Sequence, residues 1–107
     1  MVRRKAETAD AGGKTRDKGL VQKVRIVNSL GLHARPSALF VQTASRFPKC
    51  RVAVSNGAER VNGKSIMGMM TLAAACGSEL ILEIAGEDAP GAMDALTRLI
   101  ENKFEEE

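Results

Sequence analysis

The chain contains no tryptophan and no tyrosine, and it has only three phenylalanines. Single-stranded nucleic acids are bound largely by stacking their bases on aromatic side chains. The net charge of +3 suggests an anionic partner, but residues 1–20 hold six basic and three acidic side chains, whereas residues 21–107 hold ten of each. Because the part predicted to fold is neutral and poor in aromatic residues, the sequence argues against nucleic-acid binding.

Long apolar runs are also absent. No segment approaches the roughly 20 apolar residues of a membrane-spanning helix, and the N-terminus lacks the apolar stretch of a secretory signal. The only two cysteines, Cys50 and Cys76, have no Cys or His at the spacing of metal ligands. We therefore expect a cytoplasmic protein with two buried or half-buried free thiols, no metal, no cofactor and no direct membrane insertion.

The first 20 residues mix charges, glycines and small side chains without an apolar period, which predicts a disordered basic tail over residues 1–20. Residues 21–107 are long enough for one domain with a single core. Nothing in the sequence requires more than a monomer.

Alternating and helical apolar spacings predict four strands and three helices in the order βαββαβα. The four predicted strands are one that begins at Val21, one over Val52–Val54, one that ends at Val61 and one over Leu80–Ile84. The three predicted helices begin near His33, Ser65 and Asp88, and they end before Pro48, at Gly77 and near the C-terminus, respectively. Asn56-Gly57 predicts a tight hairpin, and Asp88 is the expected N-cap of the last helix. Short turns favour antiparallel pairing, so we expect an α+β open-faced sandwich, a four-stranded antiparallel sheet covered on one face by three helices.

His33 is the only histidine, and it follows a glycine-containing loop directly before Ala34-Arg35-Pro36. Proline is tolerated in the first turn of a helix, so His33 is expected at or beside a helix N-terminus. The unpaired amides there form an anion site that suits a phosphate carried on the imidazole. Arg35 would pair with the phosphate oxygens, although a solvated helix-start arginine is the alternative.

No complete enzyme site can be assembled around His33. The sequence has no glycine-rich phosphate loop and no nucleophile elbow, and a Cys-His pair has no support. We therefore predict a phosphoryl acceptor rather than an enzyme.

The segment Gly31-Leu32-His33-Ala34-Arg35-Pro36 resembles the active-site signature of the histidine-containing phosphocarrier (HPr) family. A second segment about thirty residues later, Lys64-Ser65-Ile66-Met67-Gly68, resembles the regulatory serine segment of the same family. The resemblance covers roughly residues 21 to 105. It implies a bacterial phosphotransferase-system protein linked to sugar transport.

The resemblance also implies roles and partners. His33 would accept a phosphoryl group on Nδ1 from phosphorylated enzyme I and pass it to a IIA domain, with Arg35 and Pro36 shaping the site. Ser65 matches the serine that HPr kinase/phosphorylase modifies, although a serine before an apolar helical run is also a simple N-cap. Partner docking is expected at Leu32, Phe47, Met67 and Gly68.

The methionines after Ser65 predict how the second helix is oriented. Methionines follow Ser65 at helical spacing, and we expect Met70 with Ile66 or Ala73 to face inward and Met67 to face outward.

The acidic C-terminus is similar to the nitrogen-related branch of the family, whereas the serine segment is similar to the sugar-regulating branch. The main alternative to a carrier is a non-catalytic binding module controlled by phosphorylation of Ser65.

Overall fold

The computed structural model describes residues 3–4, 19–72 and 74–105. Within these ranges the chain forms five strands, three α-helices and a final 3₁₀ turn. In chain order they are β1 (Arg3–Arg4), β2 (Gly19–Arg25), α1 (Ala34–Ala44), β3 (Cys50–Ser55), β4 (Arg60–Asn62), α2 (Ile66–Leu72), β5 (Glu79–Gly86), α3 (Ala89–Glu101) and the 3₁₀ turn Lys103–Glu105.

The strands form one antiparallel sheet in the order β1-β2-β5-β3-β4. Strands β2 to β5 are the four predicted strands, and β1 adds a two-residue pairing at the edge beside β2. Alternate residues of β5 point to opposite faces, so Leu80, Leu82 and Ile84 are buried while Glu79 is exposed. The predicted open-faced α+β sandwich is confirmed.

Apolar stripes of the helices fill the covered face of the sheet. In α3 the predicted stripe is buried throughout and comprises Ala89, Met93, Leu96, Leu99 and Ile100. In α1 the largest buried side chain is Phe40, which is inaccessible to solvent. Phe104 was not predicted in the core, yet the 3₁₀ turn after α3 places it there at 1% exposure.

Strand β2 begins at Gly19, two residues before the predicted boundary at Val21. Gly19 and Leu20 belong to β2, and Leu20 packs on the core opposite Ile84. The predicted tail therefore does not extend to residue 20. Residues 1–2 and 5–18, which make up most of that predicted tail, lie outside the described residues.

Two local expectations were only partly right. The hairpin after β3 is tight, as predicted, but Asn56 flanks the turn: its amide bonds to the Glu59 carbonyl at 3.1 Å, which leaves Gly57 and Ala58 between the paired residues. Of the two residues expected to have a positive φ, only Gly57 has one. The Asn56 side-chain oxygen accepts hydrogen bonds from the Ala58 and Glu59 amides. Asp88 does occupy the N-cap position of α3, but its backbone is left-handed (φ 67°) and its carboxylate makes no capping hydrogen bond to the described residues.

The short helix α2 differs from its predicted form in length and orientation. It ends at Leu72 rather than near Gly77, and Met69 and Leu72 are its buried residues. Ile66 and Met70 are 44% and 43% exposed, so the inward placement predicted for them was wrong, while the outward placement of Met67 is confirmed at 78%. The side chain of Ala73, also expected inward, lies outside the described residues.

The two thiols have different environments. Cys50 is 3% exposed, and its Sγ lies 2.9 Å from the Glu87 carbonyl oxygen. Burial raises the pKa of the Cys50 thiol, with an opposing contribution from the nearby Lys64 charge. Cys76 is exposed, so the expectation that both thiols are at least half-buried was wrong for this residue. It lies in the turn before β5, where no helix covers it.

The orientation of α2 predicts that two of its methionines, Met69 and Met67, contribute unequally to the stability of the protein. Met69→Ala removes a side chain with 0% exposure and should lower the free energy of unfolding by about 2–5 kcal/mol. Met67→Ala, the matched control on the exposed face, should change it by less than about 0.5 kcal/mol. Urea unfolding of both variants checks this, and equal losses would contradict the orientation.

Candidate functional site

His33 lies at the N-cap of α1, with an extended backbone (φ −87°, ψ −167°). Its carbonyl accepts a hydrogen bond from the Ser37 amide at 3.0 Å, which is the first bond of the helix. The amides of Ala34 and Arg35 have no carbonyl one turn earlier to bond with, and Pro36 has no amide hydrogen. The half-buried imidazole therefore stands beside a helix end that can donate hydrogen bonds to an anion.

The loop before His33 is held by hydrogen bonds at both of its ends. The Gly31 amide bonds to the Asn28 carbonyl at 3.2 Å, and the His33 amide bonds to the Gly31 carbonyl at 3.0 Å. The buried Asn28 side chain donates from Nδ2 to the same Gly31 carbonyl at 2.8 Å. The Leu32 amide donates to the Ala74 carbonyl at 2.9 Å, so the loop is also tied to the segment after α2.

Gly31 is required at its position by both conformation and space. Its φ of +71° lies in the left-handed region, which side chains disfavour. A Cβ built on Gly31 would overlap the Ala74 carbonyl oxygen and lie 2.9 Å from the Ala75 Cα. The site loop therefore contacts the 74–75 backbone directly, with no side chain between them.

Arg35 and Pro36 occupy the first turn of α1, as the sequence predicts, but they face different surroundings. Pro36 is buried and packs the start of the helix against the domain. Arg35 is exposed, so its guanidinium is available to an anion placed at the helix end. Their roles in shaping the site remain predictions.

Ser65 precedes the first residue of α2 and acts as its N-cap. Its Oγ accepts a hydrogen bond from the Gly68 amide at 3.0 Å, and its carbonyl accepts one from the Met69 amide at 3.0 Å. The neighbouring Lys64 ammonium donates to the Phe47 and Cys50 carbonyls at 2.8 and 2.6 Å. The serine segment is therefore fixed to the loop between α1 and β3.

The expected docking residues differ in accessibility. Met67 is exposed, Phe47 and Gly68 are half-buried, and Gly68 is packed closely against Val61 and Asn62. Leu32 is only 4% exposed and belongs to the core, so its side chain has almost no surface to offer a partner.

Among the described residues, the large apolar side chains that are exposed lie in two segments of the sequence. Leu30 is 73% exposed and lies in the His33 loop, and Val27 at 38% precedes it. The others, Ile66, Met67 and Met70, lie on α2. In a chain where most apolar residues are buried, these side chains are candidates for partner contact.

Residues 3–4, 19–72 and 74–105 lack two kinds of feature. No group of three or more His, Cys, Asp or Glu side chains among these residues is placed to hold a metal ion. No helix in the same ranges is both long and apolar enough to cross a membrane.

Comparison with known proteins identifies the family. The family model described as PTS-HPr, PTS HPr component phosphorylation site, matches residues 20–102. The chain belongs to the HPr family of phosphocarrier proteins of the bacterial phosphotransferase system. The first 19 residues lie outside the match.

Individual HPr proteins agree with this assignment. The phosphocarrier protein HPr of Treponema pallidum is 52% identical over 88 residues, 82% of this chain and 99% of the relative. HPr of Neisseria meningitidis serogroup A is 55% identical over 87 residues, 81% of this chain and 97% of the relative. The HPr-C-His crystal structure from Thermoanaerobacter tengcongensis has a TM-score of 0.77 and 47% identity, and the match covers 81% of this chain and 97% of that chain.

Two contributors to the HPr-like site were missed at the level of sequence. Asn28 has no assigned role in the sequence analysis, and Ala74 and Ala75 fall within the helix predicted to end at Gly77. An asparagine three residues before a glycine is a turn signal in the sequence, but it does not identify the acceptor of the asparagine side chain. The contact of Ala74 with Gly31 joins distant parts of the chain and has no local signature.

The close contact of Gly31 with the 74–75 backbone predicts that substitution by alanine destabilises the protein more at Gly31 than at Gly57, although both glycines have a positive φ. Gly57 has a φ of +96° and open space around its Cβ position, so Gly57→Ala should cost about 1–2 kcal/mol of unfolding free energy from backbone strain alone. Gly31→Ala adds the overlap with Ala74 and should cost clearly more. Urea unfolding measures both, and an equal or smaller loss for Gly31→Ala would show that the loop does not rest on the 74–75 backbone.

Proposed function

We propose that His33 accepts a phosphoryl group on Nδ1 from phosphorylated enzyme I and passes it to IIA components of the phosphotransferase system. The observation that carries the proposal is the position of His33 at the N-cap of α1, beside the amides of Ala34 and Arg35. In this step a bond forms between Nδ1 and phosphorus while the bond from phosphorus to the donor breaks, and the electron pair of that bond stays with the donor.

The surroundings of His33 supply charge stabilisation to this transfer. The two helix amides and the Arg35 guanidinium interact with the phosphoryl oxygens, whose charge is spread in a loose transition state. Pro36 fixes the start of the helix and so the place of these amides. The chain provides the acceptor, and its partners provide the remaining catalytic groups.

Docking of both partners is proposed at the apolar surface beside the site. Met67 is its most exposed member, and Ile66 and Met70 extend it along α2. Gly68 and Phe47 lie at its margin, where they are half-buried. A flexible methionine surface suits successive binding to different partners, such as enzyme I and a IIA domain. We propose that the carrier acts as a monomer in the cytoplasm.

Removal of the acceptor tests the carrier function. Wild-type protein incubated with enzyme I and phosphoenolpyruvate should gain an acid-labile phosphate, and His33→Ala should gain none. Arg35→Ala should slow labelling about tenfold or more, because a charge-assisted hydrogen bond is lost. Arg46→Ala is the matched control, since Arg46 is an exposed arginine just beyond the other end of α1.

Failure of the wild-type protein to take up label from a competent donor would contradict the carrier function. Label that persists in folded His33→Ala would contradict the choice of residue. Transfer of the label to a sugar-type or a nitrogen-type IIA domain distinguishes the two branches of the family.

Control by phosphorylation at Ser65 is a second function, favoured by the half-buried position of this serine next to the docking surface. A phosphate there adds close to two negative charges beside exposed apolar side chains, and this should weaken the docking of an acidic partner. This modification also underlies the alternative of a non-catalytic regulatory module.

The Ser65 proposal is tested with purified HPr kinase/phosphorylase and labelled ATP. We expect acid-stable label on wild type and on Ser78→Ala, but none on Ser65→Ala. Ser78 is a suitable control because its Oγ also accepts a hydrogen bond from a backbone amide, that of Ala75, at 3.1 Å. Absence of label on the wild-type protein would contradict control by phosphorylation at Ser65.

A further inference from the structure

Asn28 is a buried polar residue outside the helix that carries His33. Its exposed fraction is 1%, and it lies in the segment between β2 and the site loop. Burying an amide side chain is unfavourable unless it forms hydrogen bonds. Its Nδ2 donates to the Gly31 carbonyl at 2.8 Å, so the buried amide group is used to hold one specific carbonyl of the loop.

The Gly31 carbonyl accepts two hydrogen bonds. One comes from Asn28 Nδ2 at 2.8 Å and the other from the His33 amide at 3.0 Å. The nitrogen of the same Gly31–Leu32 peptide donates to the Ala74 carbonyl at 2.9 Å. This peptide unit is therefore fixed at both its oxygen and its nitrogen, one residue before His33.

We propose that Asn28 is a positioning residue for phosphoryl transfer at His33. By fixing the Gly31–Leu32 peptide, its amide group sets where the His33 backbone enters α1, and so where the imidazole stands relative to the Ala34 and Arg35 amides. The inference deepens the proposed carrier function and rests on it.

Replacement of Asn28 should affect the transfer step and leave docking unchanged. Without Nδ2 the Gly31 carbonyl retains one donor, so the peptide plane and the following histidine gain freedom to move. Small displacements of a reacting group are costly, because transfer requires close alignment. Asn28 itself is buried, so its removal takes nothing from the exposed surface on which a partner docks.

Rapid-quench measurement of phosphoryl transfer from phosphorylated enzyme I separates these effects. At saturating carrier, Asn28→Ala should lower the limiting rate about tenfold. The carrier concentration giving half the limiting rate should change by less than about twofold. Asn28→Leu fills most of the space without supplying a donor, so it should show the same loss of rate.

A matched control is Asn56→Ala. The Asn56 side chain also closes a turn, by accepting hydrogen bonds from the Ala58 and Glu59 amides, but it does so in the β3–β4 hairpin. Its Nδ2 also donates to the Leu72 carbonyl at the end of α2, at 3.5 Å, and makes no hydrogen bond with the Gly31 carbonyl. Asn56→Ala should lower stability and leave the limiting rate unchanged. This variant separates a general loss of stability from loss of positioning.

Each outcome decides the inference. Limiting rates near that of wild type for both Asn28 variants, or recovery of the rate in Asn28→Leu alone, would overturn it in favour of packing. Failure of both variants to fold, judged by circular dichroism, would overturn it in favour of a purely structural role. Failure of wild type to accept phosphate would instead refute the carrier function, and the two failures are therefore distinguishable.

Discussion

The direct contact between Gly31 and the backbone of residues 74–75 is the constraint on which the site depends. With no side chain at Gly31, the loop before α1 lies against this segment, and the Leu32 amide bonds to the Ala74 carbonyl at 2.9 Å. The position of Leu32 fixes that of His33, which is the N-cap of α1. The histidine is therefore placed by two parts of the chain that are far apart in sequence.

This arrangement joins the two sequence segments typical of the HPr family. Residues 74–75 follow α2, and α2 begins immediately after Ser65, whose side chain caps it. The Lys64 ammonium donates to the carbonyls of Phe47, in the loop after α1, and of Cys50, the first residue of β3. The histidine loop and the serine segment are thus parts of one packed unit, and the exposed side chains of Met67 and Met70 lie on the helix between Ser65 and Ala74.

Local chemistry explains which features could be predicted from the sequence. Alternating residues such as Leu80 and Leu82 predict a strand with one buried face, so the strands of the fold could be predicted. Pro36 restricts where α1 can start, so the place of His33 at the helix end could be predicted as well. The inward face of α2 was assigned wrongly, because this seven-residue helix has a single polar side chain, Thr71, and its apolar pattern gives too little contrast to orient it. The bond from Asn28 to Gly31 was missed because an asparagine after a strand predicts a turn without identifying its acceptor.

In the proposed mechanism, the phosphoryl group is carried on Nδ1 of His33. Heteronuclear NMR of protein labelled with ¹⁵N in histidine, before and after reaction with enzyme I and phosphoenolpyruvate, tests it most directly. We expect coupling to phosphorus at Nδ1 of the single imidazole and none at Nε2. Phosphorus coupling at Nε2, or a phosphorylated protein whose imidazole signals are unchanged, would contradict the assignment.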